Sequence, residues 1–113
     1  ARSRDNGAAE TLVSWLEGLE ITKLPRDEIM EAYKALGSMH SIHGLEFLKK
    51  RLTDKTMLGA WKHTPQEQAL AVHGLANAGD STAKRVLVQA AQQKNLSGPV
   101  KMALRAALTA KNP

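Results

Sequence analysis

Four histidines, at positions 40, 43, 63 and 73, are the side chains of this chain best suited to hold a metal or move a proton. His40 and His43 stand three apart, which would place both imidazoles on one helix face, but the break from Gly37 to Ser41 puts His40 in a turn. No Asp or Glu stands at helical ligand spacing to complete a tetrahedral set, so the pattern gives no metal site. Glu28 and Glu31 are also spaced for one helix face. Acids near a helix start are ordinarily solvated and favoured by the dipole, however, not desolvated for acid–base work. Cysteine is absent and no Ser sits in a G-x-S-x-G elbow, so nucleophilic catalysis has no agent. The run GLANAG (74–79) has the look of a phosphate loop, but no strand precedes it and Lys84 lies too far along to serve one. The residues point away from an enzyme and call for no cofactor.

Cations are the better candidates. Lys84 and Arg85 stand near the start of one expected helix, where the dipole also favours anions. Lys101 and Arg105 are four apart on another, and Lys49, Lys50 and Arg51 close a third. The net charge of +5 is unevenly placed: residues 1–67 carry ten bases against ten acids, and residues 68–113 carry six bases against Asp80 alone. Such asymmetry marks either an anion-facing surface or a helix pair whose acidic partners lie outside the sequence. Nucleic-acid surfaces commonly add stacking aromatics, and the basic half has none.

The elements that must carry these side chains are helical, because alternating β-branched and aromatic runs are missing and aromatics total 4%. Leu12, Trp15, Leu16 and Leu19 form an apolar stripe on a helix over 7–20, with Asp5 or Asn6 as its cap. Pro25 opens a helix over 26–37, with Ile29, Ala32, Tyr33 and Leu36 inward and Gly37-Ser38 as its end. Leu45, Leu48 and Leu52 carry a third helix over 42–53. Thr64-Pro65-Gln66-Glu67 reads as a capping box that starts a fourth over 64–77. Gly79 closes that helix, and Asp80 caps a fifth over 81–93. Ser97-Gly98-Pro99 starts a sixth over 98–110, with Val100, Leu104, Ala107 and Leu108 on one face. The long connection from 54 to 63 holds Met57, Leu58 and Trp61. Trp61 either covers an interface between helices or joins Met57 and Leu58 in an exposed contact.

These helices repeat. Laying Glu31–Leu52 over Leu70–Ala91 at an offset of 39 pairs Leu36 with Leu75, Ser41 with Asp80, Phe47 with Val86 and Leu48 with Leu87. A third partial copy begins at Pro99, and a two-helix period of this length indicates an α-solenoid. The stretches KALGSMHS (34–41), HGLANAGDS (73–81) and VKMALRAAL (100–108) resemble the HEAT-like repeats of bacterial proteins, the phycobilin-lyase type, over about residues 26–110. Met39-His40 takes the place of Ala78-Gly79. The resemblance implies an all-α solenoid of about six helices in antiparallel pairs. It further implies a non-enzymatic scaffold domain that binds another protein or another domain of its own polypeptide. In this family the second helix of each pair commonly lines the concave surface. The implied partner-binding residues are therefore Glu46, Lys49 and Lys50 in one repeat and Lys84, Arg85, Val88 and Gln89 in the next. The alternative is a nucleic acid or other polyanion held by Lys84, Arg85, Lys101 and Arg105.

At 113 residues the chain suits one domain over 1–113. The opening ARSRDNG, without Met or an apolar signal region, reads as the cut edge of a longer protein or a processed terminus. No apolar run is long enough to span a bilayer, and the lack of Cys fits a reducing, cytoplasmic setting. The small residues Ala69, Ala71, Gly74, Ala76 and Ala78 are expected to let helix backbones approach closely. The outer flanks of the first and last helices should be incompletely covered.

Overall fold

The computed structural model describes residues 2–18 and 25–109, with side chains from Ala9 onward. Among these residues the order is α1 (Arg2–Glu17), α2 (Arg26–Ser38), α3 (Ile42–Thr53), α4 (Pro65–Ala78), α5 (Ser81–Ala91) and α6 (Gly98–Thr109). The described residues are all-α, and the one β-type pairing among them is an isolated antiparallel bridge between Lys55 and Trp61.

Most helix starts follow from local cap chemistry. The Ser41 hydroxyl accepts from the His43 N–H at 3.2 Å, and the Asp80 carboxylate accepts from the Ala83 N–H at 2.8 Å. At α4 the capping box is complete: the Glu67 N–H donates to Thr64 Oγ1 at 3.1 Å, and the Thr64 N–H donates to Glu67 Oε1 at 3.0 Å. Each bond satisfies an amide that the first helical turn leaves without an intrahelical partner. The Ser97 hydroxyl plays the same part at α6, accepting from the Val100 N–H at 3.4 Å.

Several sequence expectations need correction. Helix α1 begins at Arg2, not near residue 7, so Asp5 and Asn6 lie inside it and do not cap it. Residues 19 and 20, including Leu19 of the expected stripe, lie outside the described residues. Trp15, expected in the core, is 45% exposed, because α1 packs mainly on α3 through Leu16 and Ala9 on its other side. Pro25 is the N-cap of α2, with extended ψ of 139°, and helical geometry begins at Arg26. Ala76 faces solvent and plays no part in close packing.

The turn after α2 shows how two different sequences reach one geometry. His40 takes φ 52° and Gly79 takes φ 69°, so both occupy the left-handed region at positions 39 apart. Each is followed at once by the N-cap of the next helix, Ser41 or Asp80. Glycine enters that region at no steric cost. His40 enters it held by its ring, whose Nδ1 lies 3.2 Å from Asp80 Oδ2 of the later turn.

Helix α4 is the centre of the packing. It touches α2, α3, α5 and α6, and its Gln68, Leu70, Ala71, Val72, Gly74 and Leu75 are buried. Helices α2, α4 and α6 adjoin in that order, while α1 adjoins α3 and α3 adjoins α5. Buried Gln68 donates from Nε2 to the Leu52 carbonyl at 3.0 Å, satisfying one of the acceptors that the end of α3 leaves open. Asn77 donates from Nδ2 to the Lys34 carbonyl at 2.9 Å and to Ser38 Oγ at 2.6 Å, tying the ends of α4 and α2.

Helix α2 ends at Ser38, as the Gly37-Ser38 pair predicts, but Gly37 does more than mark that end. It lies buried inside the helix, and a methyl group built on it would collide with the Gly74 carbonyl oxygen and approach the Gly74 carbonyl carbon to 2.9 Å. A methyl on Gly74 would in turn meet the Tyr33 carbonyl oxygen at 2.7 Å and a Leu48 methyl at 2.8 Å. The two glycines therefore form the crossing point of α2 and α4, where backbone meets backbone.

The long connection between α3 and α4 is a hairpin. The Thr56 N–H donates to the Ala60 carbonyl at 2.7 Å, the Gly59 N–H to the Thr56 carbonyl at 2.9 Å, and the Lys62 N–H to the Asp54 carbonyl at 2.9 Å. Gly59 supplies the left-handed φ of 86° that the turn needs. Trp61 is half-buried; its Nε1–H donates to the Asn95 carbonyl at 2.7 Å, so it joins this hairpin to the connection between α5 and α6. Lys55 covers the exposed side of the indole, with Nζ 4.6 Å from the ring centroid.

Gly37→Ala should lower unfolding free energy by about 3 kcal/mol, because the backbone of α4 cannot yield to the added methyl. Gly98→Ala, with open space around it, should stay within about 0.5 kcal/mol of the parent in the same urea titration. Equal melts for the two variants would contradict the crossing.

Candidate functional site

The residues that sequence reasoning assigned to partner binding all reach the surface. Glu46, Lys49 and Lys50 project from α3, and Lys84, Arg85, Val88 and Gln89 project from α5, all of them exposed. The offset of 39 that aligns the two turns also pairs Glu46 with Arg85, Lys49 with Val88 and Lys50 with Gln89, so equivalent positions of two packed helices face solvent. None of the seven side chains takes part in an ion pair among the described residues.

They do not form one pocket. Glu46 and Lys50 line a cleft of about 400 Å³ between α1, α3 and the base of the hairpin, opposite Val13 and Glu17. Lys84 lines a separate groove of about 130 Å³, floored by Leu75, Leu87 and Leu108 where α4, α5 and α6 meet. A third recess, about 190 Å³, lies between the starts of α3 and α5, with Leu36, Leu45 and Leu48 inside and His40 and Asp80 on its edge.

The alternative anion-binding set is not gathered in this way. Lys101 and Arg105 lie one turn apart on the exposed face of α6, and neither lines the groove beside Lys84. The positive start of α5 is also already occupied. Asp80 places one carboxylate oxygen on the Ala83 amide at 2.8 Å and the other beside His40. The amide bond, with help from His40, holds that carboxyl below its ordinary range against the opposing effect of burial. The Asp80 cap expected from the sequence is in place, so the chain supplies an anion of its own at the helix start beside Lys84 and Arg85.

Sequence reasoning missed a polar cluster beneath the large cleft. Arg51 Nη1 lies 3.1 Å from Glu67 Oε2 and 3.2 Å from His63 Nδ1, and His63 Nδ1 lies 3.8 Å from Glu67 Oε1. The guanidinium also stacks over Phe47 at 4.8 Å from the ring centroid, and Phe47 packs against Tyr33 at 5.8 Å between centroids. In the sequence Arg51 stands in one basic cluster with Lys49 and Lys50. The signal that separates it is phase: Arg51 stands three after Leu48 and four after Phe47, on the buried side of α3. Glu67 does two jobs, closing the capping box with one oxygen and pairing Arg51 with the other.

The electrostatics keep this cluster in one protonation pattern. Burial, then the Arg51 charge, lowers the His63 pKa, with Lys62 adding to the effect and Glu67 and Asp54 opposing it. His63 is thus neutral at neutral pH, and with Nδ1 accepting from Arg51 its proton sits on Nε2. Burial pushes the Tyr33 hydroxyl up to about 12, so it stays protonated. The arrangement sets a guanidinium and a carboxylate beside a neutral imidazole. It can position a wall of the cleft.

The remaining histidines serve single contacts. His43 Nε2 lies 3.1 Å from Glu10 Oε2, linking α3 to α1, and His73 has its pKa lowered by burial and then by Lys34 and Arg26. Among the described residues no group of three His, Cys, Asp or Glu side chains could hold a metal ion. No helix among them is long and apolar enough to cross a membrane. Comparison of the chain with family models, curated proteins and solved structures returns no match.

Two outcomes follow from the cluster. Arg51→Ala should destabilise by about 2 kcal/mol, since it leaves Glu67 half-paired and Phe47 uncovered, whereas Lys50→Ala on the same turn should change little. Stability should also fall as pH drops through 6.5, the ordinary histidine value. The unfolded chain binds protons there that folded His63 and His73 still refuse, so acid favours unfolding. A His63→Gln, His73→Gln double variant should show a flatter melting-temperature profile between about pH 7 and pH 5. An unchanged slope would assign that pH dependence to other groups.

Proposed function

We propose that this chain is a segment of a HEAT-like α-solenoid and acts as a non-enzymatic scaffold that binds a partner protein, or another domain of its own polypeptide, through the outward faces of α3 and α5. The observation that carries this reading is the matched exposure of Glu46 with Arg85, Lys49 with Val88 and Lys50 with Gln89 at an offset of 39. A helix pair that repeats its turn geometry, its cap and its buried positions, and then varies the side chains it presents, gives a graded surface of the kind extended repeat proteins use for recognition. The serial adjacency of α2, α4 and α6, beside that of α1, α3 and α5, fits two layers of stacked repeats. The grooves beside these faces add apolar ground next to the charges. Val88 is 41% exposed on α5, and Leu87 and Leu108 floor the groove beside Lys84. Apolar contacts ringed by charge are the usual composition of a protein interface.

A polyanion is the second reading, favoured by the exposure of Lys84, Arg85, Lys101 and Arg105, none of which joins an ion pair among the described residues. It differs from the first in its salt dependence, since phosphate contacts release counterions and weaken steeply with ionic strength.

Replacing Lys84, Arg85 and Gln89 together by Glu, Glu and Ala should leave the melting temperature unchanged and abolish recovery of the partner in a pulldown from cell extract. Undiminished recovery would remove α5 from the interface. Retention of the parent chain on heparin should match that of a neutral control; strong retention, lost with the triple replacement, would transfer the surface to the second reading.

A further inference from the structure

Met57 and Leu58 are 104% and 97% exposed, more than any other large apolar side chains among the described residues. They occupy the central positions of the hairpin turn, where polar residues and glycine are the ordinary choice. The tip does not hang loose. Backbone bonds at Thr56, Gly59 and Lys62, the Thr56 hydroxyl accepting from the Ala60 N–H at 3.3 Å, and the tie from Trp61 to Asn95 all fix its direction. Neither side chain lines any of the three clefts, so the tip is a convex projection with no groove of its own.

The surroundings of the tip are layered. Behind the two apolar side chains stands the half-buried indole of Trp61, and at the level of that ring stands the Lys55 ammonium, 4.6 Å from its centroid and 3.3 Å from Gln93 Oε1. Lys62 closes the opposite strand, and Lys94 sits between Gln93 and Asn95, the two residues that the hairpin touches on the neighbouring connection. Asp54 is the one acid of the hairpin. An apolar tip, then an indole with an ammonium at its level, with exposed Lys62 and Lys94 on the stem and the neighbouring connection, matches the acyl chains, interfacial zone and anionic headgroups of a bilayer surface. We propose that this hairpin inserts Met57 and Leu58 into an anionic lipid surface while Lys55, Lys62 and Lys94 meet its headgroups. A bilayer accepts a convex apolar tip without a shaped pocket. Two buried side chains and three lysines give weak and reversible attachment, strengthened where several copies or a second contact act together.

The test is sedimentation of the chain with phosphatidylcholine vesicles carrying roughly 30% phosphatidylserine. The parent chain should bind these vesicles, release them as salt rises, and bind pure phosphatidylcholine far less. A Met57→Ser, Leu58→Ser double variant should lose about tenfold in binding with unchanged circular dichroism and melting temperature, since neither side chain is buried. Lys62→Glu with Lys94→Glu should lose binding to the anionic vesicles alone. Equal binding by the parent and the Met57→Ser, Leu58→Ser variant would overturn the proposal. So would a parent chain that ignores vesicles while a photocrosslinker at position 58 attaches to a protein, which would make the tip a plug for a protein groove.

Discussion

The contact on which the rest of the structure depends is the crossing of α2 and α4 at Gly37 and Gly74. Two helices that meet through backbone, without intervening side chains, stand closer than the usual interaxial distance. That proximity brings Asn77 within reach of the Lys34 carbonyl and the Ser38 hydroxyl, and lets the Leu48 methyls rest against Gly74. Once Leu48 is seated, the phase of α3 is settled: Arg51 and Leu52 turn inward, and Glu46, Lys49 and Lys50 turn outward. The exposed face of α3 is thus a consequence of two missing methyl groups on other helices.

The local parts of this fold were legible in the sequence because their causes are local. The Thr64–Glu67 box, the Asp80 cap and the left-handed Gly79 are each decided within about five residues, and composition suffices to read them. Gly37 is half-legible for the same reason. Seen along the chain, Gly37-Ser38 before a turn ends a helix, and α2 does end there. Seen across the fold, the same glycine admits α4, and only the identity of that neighbour reveals the second role. Arg51 shows the converse. Its run with Lys49 and Lys50 looks uniformly solvated, yet the helix period places it with Leu48 and Leu52, and a Glu made available by a capping box sixteen residues on gives it a partner. Trp15 was put in the core by periodicity alone, but an apolar stripe is buried only where another element covers it, and α1 presents its other side to α3.

For the candidate surface, exposure could be read from helical phase and the division into clefts could not. The cleft beside Glu46 and Lys50 has α1 as its far wall, and Arg51 and His63 of the polar cluster line it, with Glu67 holding Arg51 from behind. The groove beside Lys84 exists because α6 leans against the end of α4. Neither wall is written in α3 or α5 themselves. They come from the helices that pack beside them, so positions 39 apart differ: Lys50 lines a cleft, and Gln89 lies on exposed α5 surface outside the three clefts.

The hairpin between α3 and α4 follows a different logic from the helices around it. The segment of eleven residues between α3 and α4 could form a plain polar loop. Here it is held instead by ladder bonds, by a left-handed glycine, and by an indole that donates to a carbonyl thirty-four residues away. Those contacts order a segment whose two largest apolar side chains at the tip gain no burial from the ordering, so their conformational entropy is given up without return from the core. A hydrophobic pair fixed in solvent is the reverse of what folding alone would select. Trp61 accounts for the rigidity, because its tie to Asn95 also braces the connection between α5 and α6 and thereby the position of α6. The fold benefits from the stem of the hairpin and not from its tip, and the tip is therefore the part of this loop whose side chains must be explained by something outside the chain.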